Sequence, residues 1–318
     1  MTAGVVVERL AKSFGPHQAL SSLNLDVPAG TIGAVLGPNG AGKTTTIRIL
    51  ATLDQADGGR ALVGGFDVRR QPHRVRSIIS LTGQYAAVDG DLTARENLIM
   101  IGRLYRLKSS AARRRADELL ERFGLAATAG RLTRTYSGGM RRRLDLALSL
   151  VWPPKVLFLD EPTTGLDPPS REELWAVVRG LRAEGTTVVL TTQYLEEADR
   201  LADRVTVIDK GQAVAAGQAA ELKSAYGADV LELFAADRTV AEQAARVLID
   251  RAGLGQGAAR AASDTAPASV TVPAGGYSVV EAIRLLDAEG LRLDDIRIRN
   301  ASLDEVFAAL TARTGADA

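Results

Sequence analysis

The stretch "AVLGPNGAGKTTTIRIL" constrains what this chain can fold into more than any other. Within it, Gly37-Pro38-Asn39-Gly40-Ala41-Gly42-Lys43-Thr44-Thr45 carries the spacing G-x-x-x-x-G-K-[ST]. An apolar run at 33–36 that reads as a strand precedes it, and a helical pattern from Lys43 to about Thr52 follows. Glycine admits left-handed backbone and lets successive N–H groups converge on an anion. The helix behind the loop adds its positive end. These residue types predict a phosphate cradle, with Lys43 bridging β- and γ-phosphates and the Thr44 hydroxyl ligating Mg²⁺. A structural glycine turn is the plain alternative, and the strand-loop-helix context weighs against it.

Such a loop belongs to an α/β fold, and the rest of the pattern agrees. Residues 5–8, 23–27, 156–159 and 186–190 read as short strands, with turn signals at Gly15-Pro16 and Pro28-Ala29-Gly30. Residues 94–105, 111–124 and 141–151 read as helices, the second stopped by Gly124 and the third by Trp152-Pro153-Pro154. Apolar runs alternating with helices predict a mostly parallel sheet covered on both faces. At Tyr226-Gly227 the pattern changes. A strand at Val230, Leu231 and Leu233 is followed by a helix with Val240, Ala244, Val247 and Leu248 on one face. Residues 253–268 read as loop, 269–272 as a strand, Val279, Ile283 and Leu286 as a helix face, and 296–298 as an alternating strand. Ser302 with Glu305 announces a last helix through a capping box, its apolar face being Leu303, Val306, Phe307 and Leu310. This divides the chain into 1–225, with a helical subdomain over about 85–152, and a small α/β domain over 226–318.

"KVLFLDEPTTGLD" ends a second buried strand in Asp160-Glu161. Beside a phosphate loop, Asp160 is placed to hold Mg²⁺ through water, and Glu161 to orient or deprotonate an attacking water. Between the two motifs lies "TYSGGMRRRLDLALSLV". Ser-Gly-Gly alone is an ordinary helix start. In this order, however, the chain resembles the ATP-binding subunits of ABC transporters along essentially its whole length.

The resemblance implies an ABC-type P-loop NTPase with an N-terminal antiparallel β subdomain, the inserted helical subdomain and the C-terminal α/β domain. It implies ATP and Mg²⁺ as ligands. It also implies a head-to-tail dimer in which Ser137, Gly138 and Gly139 of one copy meet the γ-phosphate held by the other, and Asp167 of Gly165-Leu166-Asp167 crosses between subunits. Phe14 matches the aromatic that stacks on adenine, and Gln84 the glutamine that senses Mg²⁺ and couples to a membrane partner. Tyr136 and Met140 replace the Leu and Gln that usually flank Ser-Gly-Gly. Gln193 stands where most such cassettes carry a histidine; its amide donates a hydrogen bond but carries no charge. It therefore reads as a γ-phosphate sensor of reduced strength. With "TTQYLEEADRLAD", the Gln-Tyr after "LTG" and the late "SLDEVFAAL", the chain looks like the daunorubicin-resistance branch. That branch implies export of a drug or antibiotic through a separately encoded permease, with a C-terminal extension that serves assembly and regulation. From the residues alone the last helix is equally an amphipathic core or docking element.

Composition sets the remaining limits. A chain of 318 residues that is 46% hydrophobic can bury a substantial core. The net charge of +1 announces no polyanionic partner, and no nucleic acid is expected. Residues 95–143 are nevertheless basic, with thirteen basic against four acidic side chains. That region is either a solvated helical face or a surface attracted to an acidic partner or anionic membrane. There are no cysteines, which excludes disulfides and thiolate metal sites and fits a reducing compartment. No signal-peptide core and no apolar stretch of ~18 residues is present, so a soluble, cytoplasmic chain is expected, and the resemblance implies that it sits peripherally on the cytoplasmic side of the cell membrane. Two other classes stay open on the residues: a soluble ABC ATPase in translation or DNA repair, and a catalytically silent ATP-dependent regulator. The transported compound is not legible, since a permease would contact it.

Overall fold

The computed structural model describes residues 4–83, 87–226, 230–253, 260–263, 268–274, 276–299 and 306. The chain divides into two compact units, Met1–Ala219 and Ala220–Ala318. The division falls a few residues before the 225/226 break read from the sequence, because almost all of a helix at 219–226 goes with the second unit.

In chain order the first unit runs β1 (Val5–Phe14), β2 (His17–Val27), β3 (Ile32–Leu36), α1 (Lys43–Leu50), β4 (Gly58–Val63), β5 (Phe66–Asp67), α2 (Pro72–Arg76) and β6 (Ile79–Thr82). Then come α3 (Ala94–Leu104), α4 (Ser109–Arg122), α5 (Gly138–Ser149), β7 (Val156–Asp160), α6 (Pro168–Ala183), β8 (Thr187–Thr192), α7 (Leu195–Leu201), β9 (Arg204–Asp209) and β10 (Gln212–Gly217). The six-stranded sheet has the order β10-β9-β3-β8-β7-β6, parallel throughout except for the β10 edge. Every residue of β3, β7 and β8 is buried, as expected of strands covered on both faces. The second sheet, β2-β1-β4-β5, is antiparallel. α1 packs against strands of both sheets. A single core joins Leu10, Leu20 and Leu25 to Ile47, Phe158 and Val189, which fixes the helix behind the phosphate loop from two sides.

α3, α4 and α5 pack on one another as the helical subdomain. α3 starts at a capping box, with Thr93 Oγ1 accepting from Glu96 N and the Glu96 carboxylate accepting from Thr93 N, a device worth about 1 kcal/mol. α5 begins at Gly138, three residues ahead of the sequence reading: Gly138-Gly139 reads as loop by propensity, but Ser137 caps the first turn. The basic run draws neutralising partners from outside itself. Arg122, Arg134 and Arg143 pair with Glu184, Asp91 and Glu173.

In the second unit, α8 (Ala219–Tyr226) precedes β11 (Val230–Ala235), α9 (Arg238–Arg251), β12 (Arg260–Ser263), β13 (Ala268–Pro273), α10 (Val279–Ala288) and β14 (Asp295–Arg299). These strands form one antiparallel sheet, β12-β13-β11-β14. Leu231, Leu233, Val270 and Val272 form its core with Leu248 of α9 and Leu286 of α10. β12 corrects the reading of 253–268 as loop. It is a short edge strand held by backbone pairing to β13, and its Arg-Ala-Ala-Ser sequence carries no apolar alternation to reveal it. The expected last helix lies outside the described residues except Val306, which is helical and buried.

Candidate functional site

Sheet register alone brings three motifs together. β8 lies between β3 and β7, with Leu36 opposite Thr192 and Asp160 opposite Thr191. The residues that leave these strands are therefore Gly37, Gln193 and Glu161, side by side at the carboxyl ends of three parallel strands. That edge is where open α/β sheets place ligands.

The loop from Gly37 to Gly42 is held tightly at both ends. Gly37 N donates to Thr192 O at 3.2 Å, and Gly211 N to Ala41 O at 3.1 Å. A Cβ on Gly37 would stand 2.4 Å from Ile208 O. Gly42 has φ +101°, and a Cβ there would meet Ala19 O at 2.6 Å, so the loop needs glycine for both conformation and space. Asn39 and Gly40 are exposed at the loop's tip, while Pro38, Thr44 and Thr45 are half-buried.

Lys43 is 4% exposed, and its ammonium has three oxygen partners. Nζ donates to Gly37 O at 2.9 Å and Pro38 O at 3.0 Å, and lies 3.1 Å from Glu161 Oε1. The Thr44 hydroxyl donates to Asp160 Oδ1 at 3.2 Å. The Thr191 hydroxyl donates to the same oxygen at 2.6 Å and accepts from Glu161 N at 3.0 Å. Glu161 sits at φ +48°, a left-handed conformation that costs a non-glycine residue about 1–2 kcal/mol. A cation, a hydroxyl and two carboxylates thus converge beside an N–H-rich loop. This set can bind a polyphosphate and present a base to water.

The other motif residues occupy their own places. Phe14 ends β1, half exposed, with Lys12 Nζ 5.2 Å above its ring. Ser137 and Gly138 are exposed at the start of α5, where Ser137 Oγ accepts from Met140 N at 3.2 Å. Gly139 is buried, and a Cβ there would approach Ser170 Oγ to 2.5 Å. Asp167 is exposed at the start of α6, after Gly165 at φ +78°. Gln193 is half-buried in the bend after β8. Gln84 lies outside the described residues.

Two groups escaped the sequence reading. Thr191 joins Asp160 to the Glu161 backbone; the Thr-Thr before Gln193 was its signal. Glu197, fully buried in α7, accepts from Trp175 Nε1 at 3.1 Å. Burial pushes the Glu197 carboxyl above its usual range, against opposing hydrogen bonds and the charge of Arg171. The native state therefore binds this proton more tightly than the unfolded chain. The stability so gained is full below the ordinary carboxylate range and is lost as pH rises through the raised native value. Glu197→Gln keeps an acceptor for Trp175 and no charge. Its Tm, relative to wild type, is expected to climb as pH rises from about 5 to about 8.5. A difference that stays constant in thermal melts across that range would overturn the assignment.

A family model described as ABC transporter matches residues 20–164. The chain is 52% identical over 307 residues to daunorubicin resistance ATP-binding protein DrrA2 of Streptomyces coeruleorubidus, spanning 96% of this chain and 94% of that protein. It is 45% identical to doxorubicin resistance ATP-binding protein DrrA of Mycobacterium tuberculosis (strain ATCC 25618 / H37Rv), over 96% of this chain and 93% of the relative. A Nod factor export ATP-binding protein I of Ralstonia nicotianae is 42% identical over 73% of this chain and 72% of its own. Among solved structures, an ABC transporter cassette in its ADP conformation superposes with TM-score 0.63 at 26% identity, covering 70% of this chain and 93% of that one. A dimeric cassette in a post-hydrolysis state with ADP and Pi gives TM-score 0.61 at 25% identity, over 67% and 98%. The translation, repair and silent-regulator readings gain no support from these relatives. With its phosphate loop, carboxylate pair and Ser-Gly-Gly helix in cassette order, the chain belongs to the ATP-binding, ATP-hydrolysing subunits of ABC transporters, in the group that serves drug-resistance export.

Proposed function

We propose that this chain is the motor of an exporter for a drug or antibiotic of the daunorubicin type, docked on the cytoplasmic face of a separate permease. The observation that carries this reading is the convergence of Lys43, Thr44, Asp160 and Glu161 at one sheet edge. Lys43 binds the β- and γ-phosphates of ATP and Phe14 stacks on adenine; Asn39, Gly40, Gly42, Lys43, Thr44 and Thr45 supply backbone N–H donors, while Gly37, Pro38 and Ala41 shape the loop. The all-oxygen donor pair Thr44 and Asp160 suits Mg²⁺, which takes few protein ligands and keeps several waters. Gln84 belongs to the same shell through the resemblance. Bound there, Mg²⁺ would neutralise charge on the phosphates. Glu161 takes a proton from the attacking water, and Gln193 donates to the γ-phosphate.

Two copies close head to tail, each site completed by Ser137, Gly138 and Gly139 of the other, with Asp167 at the crossing. Among the described residues no helix is long and apolar enough to cross a membrane, so the transport path belongs to another chain in this proposal. The C-terminal unit serves assembly and regulation. In inverted membrane vesicles that also contain the permease, Mg·ATP is expected to drive daunorubicin accumulation; vesicles that hydrolyse ATP without accumulating it would refute the export reading. In the same vesicles Gln193→His is expected to raise kcat about 5-fold. A charged donor is worth about 1 kcal/mol more than a neutral one. An unchanged kcat would show that Gln193 does not throttle the cycle.

A further inference from the structure

Arg142 of α5 is the most heavily engaged side chain near the site, and the cassette motifs do not account for it. Its side chain is 11% exposed and its guanidinium has five oxygen partners. Nε donates to Pro162 O at 2.8 Å, and Nη2 to Asp160 O at 3.3 Å and Glu161 O at 3.4 Å. Nη1 donates to Gly83 O at 2.7 Å and to Asp145 Oδ2 at 3.3 Å. The other oxygen of Asp145 accepts from Ala87 N at 2.8 Å. One planar fork thus grips three consecutive carbonyls of the turn that carries Glu161. Its pair with Asp145, one turn along the same helix, grips both Gly83 and Ala87 in the loop after β6. Arginine alone offers five donors in a fixed plane, so this pattern belongs to the guanidinium and not to positive charge in general.

The turn it grips is also under tension. Glu161 holds φ +48°, its N–H is tied to Thr191 and its carboxylate meets Lys43 Nζ and the Thr164 hydroxyl, so the carbonyl anchor fixes the backbone from which that carboxylate reaches them. The anchor sits five residues after Ser137, on the helix whose N-terminus would face the partner's nucleotide.

We propose that Arg142 is a positioning residue for hydrolysis: it holds the Glu161 carboxylate in its working place and, through Asp145, makes that place depend on the seating of α5 and the loop after β6. The inference rests on the reading of Glu161 as the base. Arg142 itself contacts neither the nucleotide nor the water in this scheme. It acts through the backbone of residues 160–162, so its loss should fall on turnover and leave ATP binding alone.

The test uses the full-length chain in permease-containing vesicles, with Arg142→Met, Arg142→Lys and Asp145→Asn beside Glu161→Gln. A displacement of about 1 Å at a reacting group can cost about 100-fold. Arg142→Met is therefore expected to lower kcat about 30- to 100-fold with KM for Mg·ATP within about 3-fold. Arg142→Lys, which keeps the charge and loses the fork, is expected to recover part of that loss. Asp145→Asn keeps an acceptor for Ala87 N but puts an NH₂ where the oxygen accepted from Arg142, so it loses the charge and that one hydrogen bond. It is expected to lower kcat about 5-fold, and this milder change guards against an Arg142→Met that fails to fold. If Arg142→Met and Asp145→Asn both turn over like wild type, the proposal is wrong. It is equally wrong if kcat and ATP affinity fall together, since that marks a merely structural role. An active Glu161→Gln would instead remove the base assignment beneath it, a separate and visible failure.

Discussion

Glu161→Gln is expected to lower Mg·ATP turnover by about 100-fold or more while leaving nucleotide binding within a few-fold of wild type. The two side chains have the same shape, so the exchange removes basicity and charge and little else. The backbone that sets the position is untouched: the Glu161 N–H still meets Thr191, and the left-handed turn is still held. Lys43 loses its charged partner but keeps Gly37 O and Pro38 O. The phosphate loop therefore stays formed, and ATP binds. What disappears is the acceptor for the proton of the attacking water. Steady-state hydrolysis at saturating Mg·ATP, set beside titration with a fluorescent nucleotide, separates the two effects. A variant with kcat within about tenfold of wild type would mean that another group takes the proton.

Much of this site was legible because its chemistry follows from contiguous residues. A phosphate loop needs glycines, a lysine and a hydroxyl within eight positions, and Gly37 to Thr44 carries them in order. Asp160-Glu161 was readable because a buried apolar strand has little other use for two acids at its end. The features that escaped are made by distant segments. Nothing local tells that Thr191 hydrogen-bonds Asp160, since that contact arises only when β7 and β8 pair in the register that sets one opposite the other. Arg142 is hidden in a run of three arginines, alike in sequence and unlike in surroundings: Arg141 reaches Thr133 O, Arg143 pairs with Glu173, and Arg142 turns into the turn that carries Glu161.

The same distinction holds for the fold. The central parallel strands β3, β7 and β8 declared themselves by unbroken apolar runs, whereas the parallel β6 and β9 and the antiparallel β4 and β10 did not. α6 was overlooked although its signals are local. Asp167 precedes Pro168 at the first helical position, and Leu174, Trp175, Val178 and Leu181 form one buried face. The turn signals of Thr163 to Asp167 ahead of it obscured that period.

Lys43→Ala should give the opposite kinetic pattern to Glu161→Gln, and the contrast makes the assignment of both residues testable. Removing one member of a buried, hydrogen-bonded charge pair costs about 2–5 kcal/mol, which corresponds to about 30- to several-thousand-fold in an equilibrium constant. Here the loss falls on ATP affinity, because the ammonium is the charge that the phosphates would meet at the base of the loop. It also falls on the unliganded protein, where Glu161 loses its cation at 3.1 Å in a site that is mostly shielded from water. The unliganded variant should therefore be less stable as well as weaker in binding, whereas Glu161→Gln should bind and merely fail to turn over. Calorimetric titration with Mg·ATP and a thermal melt of each variant distinguish the patterns. If Lys43→Ala binds ATP as wild type does, the ammonium is neutralising Glu161 rather than serving phosphate. The loop's N–H groups and the helix end would then have to hold the anion without it.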